Sequence, residues 1–284
     1  MLSTLGILLR EQTALVELFL RQTEKQRVIN PFQYAGEPVI GDSITDELWE
    51  ASGMRRIVLN EANFGSSLTS LSALISNCSL IEFVDWAVTG NVSDSWDCLY
   101  SKVIKPSGKR DFRFIFHLGD IAVKPVFEVD EVLDIIGDYS SYGRVTLILD
   151  NTEADHLWCR LNGRDPRAFT PGLGTPPPGT RYKSLFNTMR IDSMIVLFPA
   201  FAVHFSRAGL FDLESHSPGG LLRRANDRRS FSIGYQLGLL LRLDVFSCAA
   251  LGLAYTGSDP GPTFSDPVSS VLIDFIQHWS NSLY

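Results

Sequence analysis

The sequence predicts an α/β or α+β fold in which a central mixed β-sheet is flanked by helices. Three observations lead there. Between residues 56 and 161, short apolar or alternating runs trade places with segments of helical period. Residues 144–149 form a continuous run of the kind that a sheet buries on both faces, and a helix pattern follows at once. Of the 284 residues, 45% are hydrophobic and 20% charged, a balance that supports a core and argues against disorder.

The elements follow in order. Residues 2–27 read as a long amphipathic helix, with Leu5, Leu8, Leu9, Leu15, Val16 and Phe19 at helical spacing and Arg10, Glu17 and Arg21 opposite. Asn30-Pro31 stops it. Strands are expected at 56–61, 80–88 and 111–118, the last with Phe112, Phe114 and Phe116 in alternation. Helices are expected at 66–76, 129–139 and 153–161. Thr152 and Asp155 would cap the last of these, and Gly163 would stand at its carboxyl end. The second half reads as a helix at 182–189, strands at 194–198, 202–206 and 210–213, a helix at 232–241 and a strand at 245–255. Asp266 and Pro267 open a closing helix whose apolar face is Val271, Leu272, Phe275, Ile276 and Trp279.

Charge divides the chain. Net charge is −7 overall, with −9 in residues 1–163 and +2 in residues 164–284. An acidic chain repels phosphate backbones on average, so nucleic acid is not an expected partner. The segment 164–180, rich in proline and glycine, is a loop or linker between an acidic α/β region and a second α/β region at 181–284 that could complete the same domain. Cys78, Cys98, Cys159 and Cys248 form no C-x-x-C pair and read as reduced thiols. With no signal-peptide pattern and no apolar run near the ~20 residues of a bilayer span, the expected location is the cytoplasm, with no membrane partner.

Two clusters carry chemistry. Asp150, Glu153, Asp155 and His156 follow a buried strand at the edge where open α/β sheets place ligands, and Asp85, at the end of an earlier strand, could join them. Carboxylates and a base so spaced would suit Mg²⁺-dependent phosphodiester hydrolysis, while acidic residues in a first helical turn also serve as ordinary caps. Arg223, Arg224, Arg228 and Arg229, after Gly219-Gly220, could bind an anion or nucleotide, or nucleic acid, or else answer the acidic first half. Residues Phe116 to Ile121 are similar to the Gly-Asp block of calcineurin-like metallophosphoesterases. The upstream Asp-x-His and downstream Gly-Asn-His blocks are absent, so the similarity stops at six residues.

No set of residues amounts to a complete catalytic centre. The reading is therefore a non-catalytic protein–protein interaction subunit without a cofactor, meeting a partner or a second copy through residues 2–27. The alternatives are the metal-dependent hydrolase, using Mg²⁺, and the arginine-based anion sensor.

Overall fold

A computed structural model describes residues 56–59, 72, 75, 79–84, 86–87, 92–172, 174–199, 201–207, 209–214, 226–240 and 243–257. The expected helices at 2–27 and 266 onward, and Asp85, Arg223 and Arg224, lie outside them. The described strands make one seven-stranded mixed sheet, whose spatial order is the order of the chain. Strands β1 (Arg56–Leu59), β2 (Leu80–Phe83), β3 (Phe112–Phe116), β4 (Gly143–Asp150) and β5 (Ser193–Leu197) run parallel. Strands β6 (Phe201–Ser206) and β7 (Gly209–Glu214) add two antiparallel turns of the meander. Strands on both sides of the 164–180 segment thus share one sheet.

Strictly sequential parallel strands oblige successive crossovers, all of one hand, to lie on one face. That face is covered by α1 (Val92–Leu99), α2 (Val126–Tyr139), α3 (Asn151–Leu161) and α4 (Pro178–Thr188). Alternation along β3 turns Phe112, Phe114 and Phe116 toward these helices, as the sequence predicts. Tyr139 is the hub of this core. Its ring meets Phe83, Phe114 and Phe116 edge-on at 5.2, 4.9 and 5.5 Å, and its hydroxyl donates to the Trp96 carbonyl at 2.8 Å. Helix α1, whose Val92, Trp96 and Leu99 are buried at i, i+4, i+7, was legible in the sequence but is absent from the elements expected there.

The other face is covered by α5 (Asn226–Leu240) and α6 (Val245–Gly257). Here one expectation fails, since 245–255 is a helix and not a strand. A helix buried on all sides loses its polar stripe, so its sequence imitates a buried strand, and only length argues for the helix. The start signal is Asp244, whose carboxylate accepts from the backbone N–H groups of Phe246 and Ser247 at 3.0 and 3.1 Å. Two glycines let α5 and α6 touch. A Cβ at Gly238 would stand 2.7 Å from the Cα of Cys248, and one at Gly252 would stand 2.8 Å from the ring of Phe231. Gly238→Ala should therefore cost about 1–3 kcal/mol through overpacking, despite alanine's better helix propensity. Urea unfolding checks this. A Gly238→Ala protein as stable as wild type would mean that the helix pair separates without cost.

Candidate functional site

The carboxyl ends of β2, β3 and β4 meet the first turns of α3 and α5, and polar groups gather there. Glu82 interrupts the apolar strand Leu80–Phe83 and stands on the α5 face beside its register partner Ile115. Only 4% of it is exposed. A buried carboxylate must be hydrogen-bonded. The Ser232 hydroxyl donates to Glu82 Oε1 at 2.6 Å, and His117 Nε2 lies 3.1 Å from the same oxygen. Gln236, one turn along α5, donates to Ser232 Oγ at 2.9 Å. His117 follows β3 directly, its N–H donating to the Phe83 carbonyl, and its Nδ1 is buried without a hydrogen-bond partner. Serine and glutamate both meet the same ring nitrogen, so the trio does not have the relay order of a hydrolytic triad, in which each would meet a different one. Its effect is to tie α5 to the ends of β2 and β3.

Beside it, Asp150 is the N-cap of α3. Its carboxylate accepts from the Glu153 N–H at 2.7 Å, while Glu153 Oε2 accepts from the Asp150 N–H at 3.0 Å, a complete capping box. The cap is thus Asp150 with Glu153, and not the Thr152 and Asp155 of the sequence reading. The other oxygen of Glu153 receives Arg228 of α5 in an ion pair. Burial nevertheless pushes the Glu153 carboxyl up to about 7, outweighing the guanidinium beside it. Arg228 keeps about a quarter of its side chain in contact with solvent.

The remaining sequence candidates disperse. Asp155 turns to α4, where Arg181 and Tyr182 donate to it at 2.5 and 2.9 Å. His156 Nδ1 lies 3.5 Å from Asp120, which itself caps the short 3₁₀ turn Ile121–Val123. Among the described residues no three His, Cys, Asp or Glu side chains converge as a metal site. Arg228 and Glu153, taken from separate clusters of the sequence, are brought together. Arg229 lies in α5, with its side chain outside the described residues. Glu82, His117, Ser232 and Gln236 were missed, although a lone acid inside an apolar strand was a usable signal. Among the described residues no helix is long and apolar enough to cross a membrane, and Cys98, Cys159 and Cys248 are free thiols.

No protein-family model matches the chain, and no curated protein is similar to it. Solved structures are similar in fold. A putative sugar kinase from Clostridium perfringens superposes with a TM-score of 0.50 at 11% identity, covering 77% of this chain and 60% of that one. A probable sugar kinase from Rhizobium etli gives 0.51 at 13% identity, covering 75% and 59%. The adenosine kinase of Sinorhizobium meliloti gives 0.51 at 12% identity, also covering 75% and 59%. The chain therefore spans about three fifths of the length of these structures.

This likeness corrects the functional expectation. The non-catalytic interaction subunit of a complex, the metal-dependent phosphodiester hydrolase and the arginine-based sensor were all inferred without a fold, and the fold is one found in kinases of small hydroxylated substrates. The hydrolase also loses its ligand set, since Glu153, Asp155 and His156 are each engaged by a different partner.

Proposed function

We propose that the chain belongs to an enzyme that transfers a phosphoryl group from a nucleotide to a hydroxyl of a sugar or nucleoside. The observation that carries this is the placing of Arg228 at the start of a 15-residue helix, over the carboxyl edge of the parallel strands and aligned by a buried glutamate. Open α/β sheets bind ligands along that edge, and a helix amino end with a guanidinium favours phosphate. Phosphoryl transfer asks the protein chiefly for positioning and electrostatic stabilisation, so a short list of acid–base residues is no obstacle.

Magnesium suits the donor set. It takes one or two carboxylates and completes its shell with phosphate oxygens and water. Asp120, after β3, and Asp150, at the end of β4, each use one carboxylate oxygen as a cap, so their second oxygens would hold it, and its chemistry would be neutralisation of phosphate charge. A nucleotide-using enzyme with free thiols fits a reducing, cytoplasmic compartment.

Mg·ATP should raise the melting temperature of the chain, and Arg228→Ala should weaken ATP binding about tenfold or more. A phosphoryl-transfer assay against a panel of sugars and nucleosides completes the test. If ATP and GTP shift nothing and no acceptor is phosphorylated, the reading is wrong.

A further inference from the structure

The opposite end of the sheet carries a second concentration of positive charge. Arg113 of β3 and Arg144 of β4 are register partners, so their side chains stand on one face of adjacent strands, roughly 5 Å apart at the backbone. Arg113 is half-buried and Arg144 exposed. Neither makes an ion pair or a hydrogen bond among the described residues. Arg110, just before β3, holds its guanidinium 5.7 Å over the ring of Tyr142 and has no carboxylate partner among the described residues. All three line a concavity of about 490 Å³, together with Ser140 and Ser141 of the turn after α2. Asp111, the carboxylate on the rim, is 78% exposed at its side chain and faces Lys109 at 3.8 Å.

Like charges on directly neighbouring strand positions repel, and a chain of net charge −7 has acidic residues enough to pair them. Three arginines border one hollow, none of them in an ion pair among the described residues, and can supply the N–H donors that bind phosphate oxygens. We infer that this hollow binds a small molecule carrying two or more phosphate charges, at a site separate from the candidate kinase centre. The eight residues of β4 separate the two ends, roughly 23 Å. The inference does not rest on the proposed kinase activity. Bound anion would remove the repulsion between Arg113 and Arg144, so occupancy would also stabilise the sheet.

The test uses the full chain, with inorganic phosphate, pyrophosphate and AMP as probes and four proteins: wild type, Arg144→Gln, Arg110→Gln and Arg228→Ala. Pyrophosphate should raise the melting temperature of wild type and bind by calorimetry about tenfold more tightly than inorganic phosphate, because more than one guanidinium shares it. Arg144→Gln and Arg110→Gln should each weaken that binding about tenfold, and Arg228→Ala should remove only the binding that belongs to the candidate kinase centre, leaving the Arg144-dependent binding in place. Without ligand, Arg144→Gln should melt at or above wild type, and with saturating pyrophosphate below it. AMP binding at the strength of pyrophosphate would mark a nucleotide-type ligand, and weaker AMP binding a diphosphate-type one. The inference fails if pyrophosphate does not bind, if its binding is lost with Arg228→Ala and not with Arg144→Gln, or if phosphate and pyrophosphate bind equally. It fails too if only a single-stranded oligonucleotide binds, or if ligand-free Arg144→Gln melts several degrees below wild type.

Discussion

Asp155→Ala should lower the stability of the protein by about 3–5 kcal/mol, the cost of leaving a buried cation without its partner. Arg181 is 2% exposed. Its guanidinium donates through Nε and Nη2 to Asp155 at 3.2 and 2.5 Å and through Nη1 to the Pro176 carbonyl at 2.6 Å. Aromatic rings enclose it, with Trp158 at 5.8 Å, Phe169 at 5.2 Å and Tyr182 at 5.6 Å. These contacts help to hold the charge but do not neutralise it. Asp155 also accepts from the Tyr182 hydroxyl, which keeps the Asn151 carbonyl at 3.3 Å, so its loss strands the Nε and Nη2 donors of Arg181. Asp155→Asn keeps an acceptor and removes the charge, and should cost less than the alanine variant. Urea unfolding measures both. A loss below about 1 kcal/mol for Asp155→Ala would mean that the rings and the Pro176 carbonyl suffice for Arg181.

The second large effect is a pair of opposed pH dependences. Glu153 is raised to about 7 by burial, so the folded protein holds its proton more firmly than the unfolded chain, where the ordinary value is 4.5. Stability from this group is fully present below about 4.5 and is lost as pH rises through 7. His204, 2% exposed, has its imidazole lowered to about 4 by burial, against a small opposing pull from Asp244. Its stability is fully present above 6.5 and is lost as pH falls through 4. At about 1.4 kcal/mol per pKa unit, each group changes stability by about 3 kcal/mol, in opposite directions over nearly the same window. Their sum in wild type should be almost flat between pH 5 and 6.5. Glu153→Gln should uncover the histidine, so that the variant loses about 2–3 kcal/mol between pH 7 and 4.5. His204→Gln should uncover the glutamate and gain stability over the same fall. Chemical denaturation of the three proteins across this range would refute the account if their curves ran parallel.

Much of the architecture could be read from local pattern, because a strand's period of two and a helix's period of 3.6 are imposed by the backbone itself. The phenylalanines of β3 and the apolar face of α2 declare their neighbours in this way. Helix α6 did not, because burial on every side erased the contrast on which periodicity depends. The cap of α3 was misassigned by two residues, since Asp150, Thr152, Glu153 and Asp155 all offer plausible cap chemistry and only the chain's path selects among them.

The sequence alone determined that the chain would build a mixed sheet flanked by helices, and that acids cluster after β4 and arginines near 223–229. Those are properties of neighbours along the chain. Only the tertiary structure decided what the charges meet. Glu82 and Ser232 are 150 residues apart yet share a hydrogen bond, and Glu153 and Arg228 are 75 apart yet form an ion pair. Sequence order carries no information on which surface α5 covers. Burial then sets the chemistry, because a carboxylate removed from water must find a donor or take up a proton. The same folding that engaged Glu153, Asp155 and His156 with separate partners removed the metal cluster of the alternative reading. By setting β3 beside β4 in register, it placed Arg113 and Arg144 side by side, with no ion-pair partner for either among the described residues.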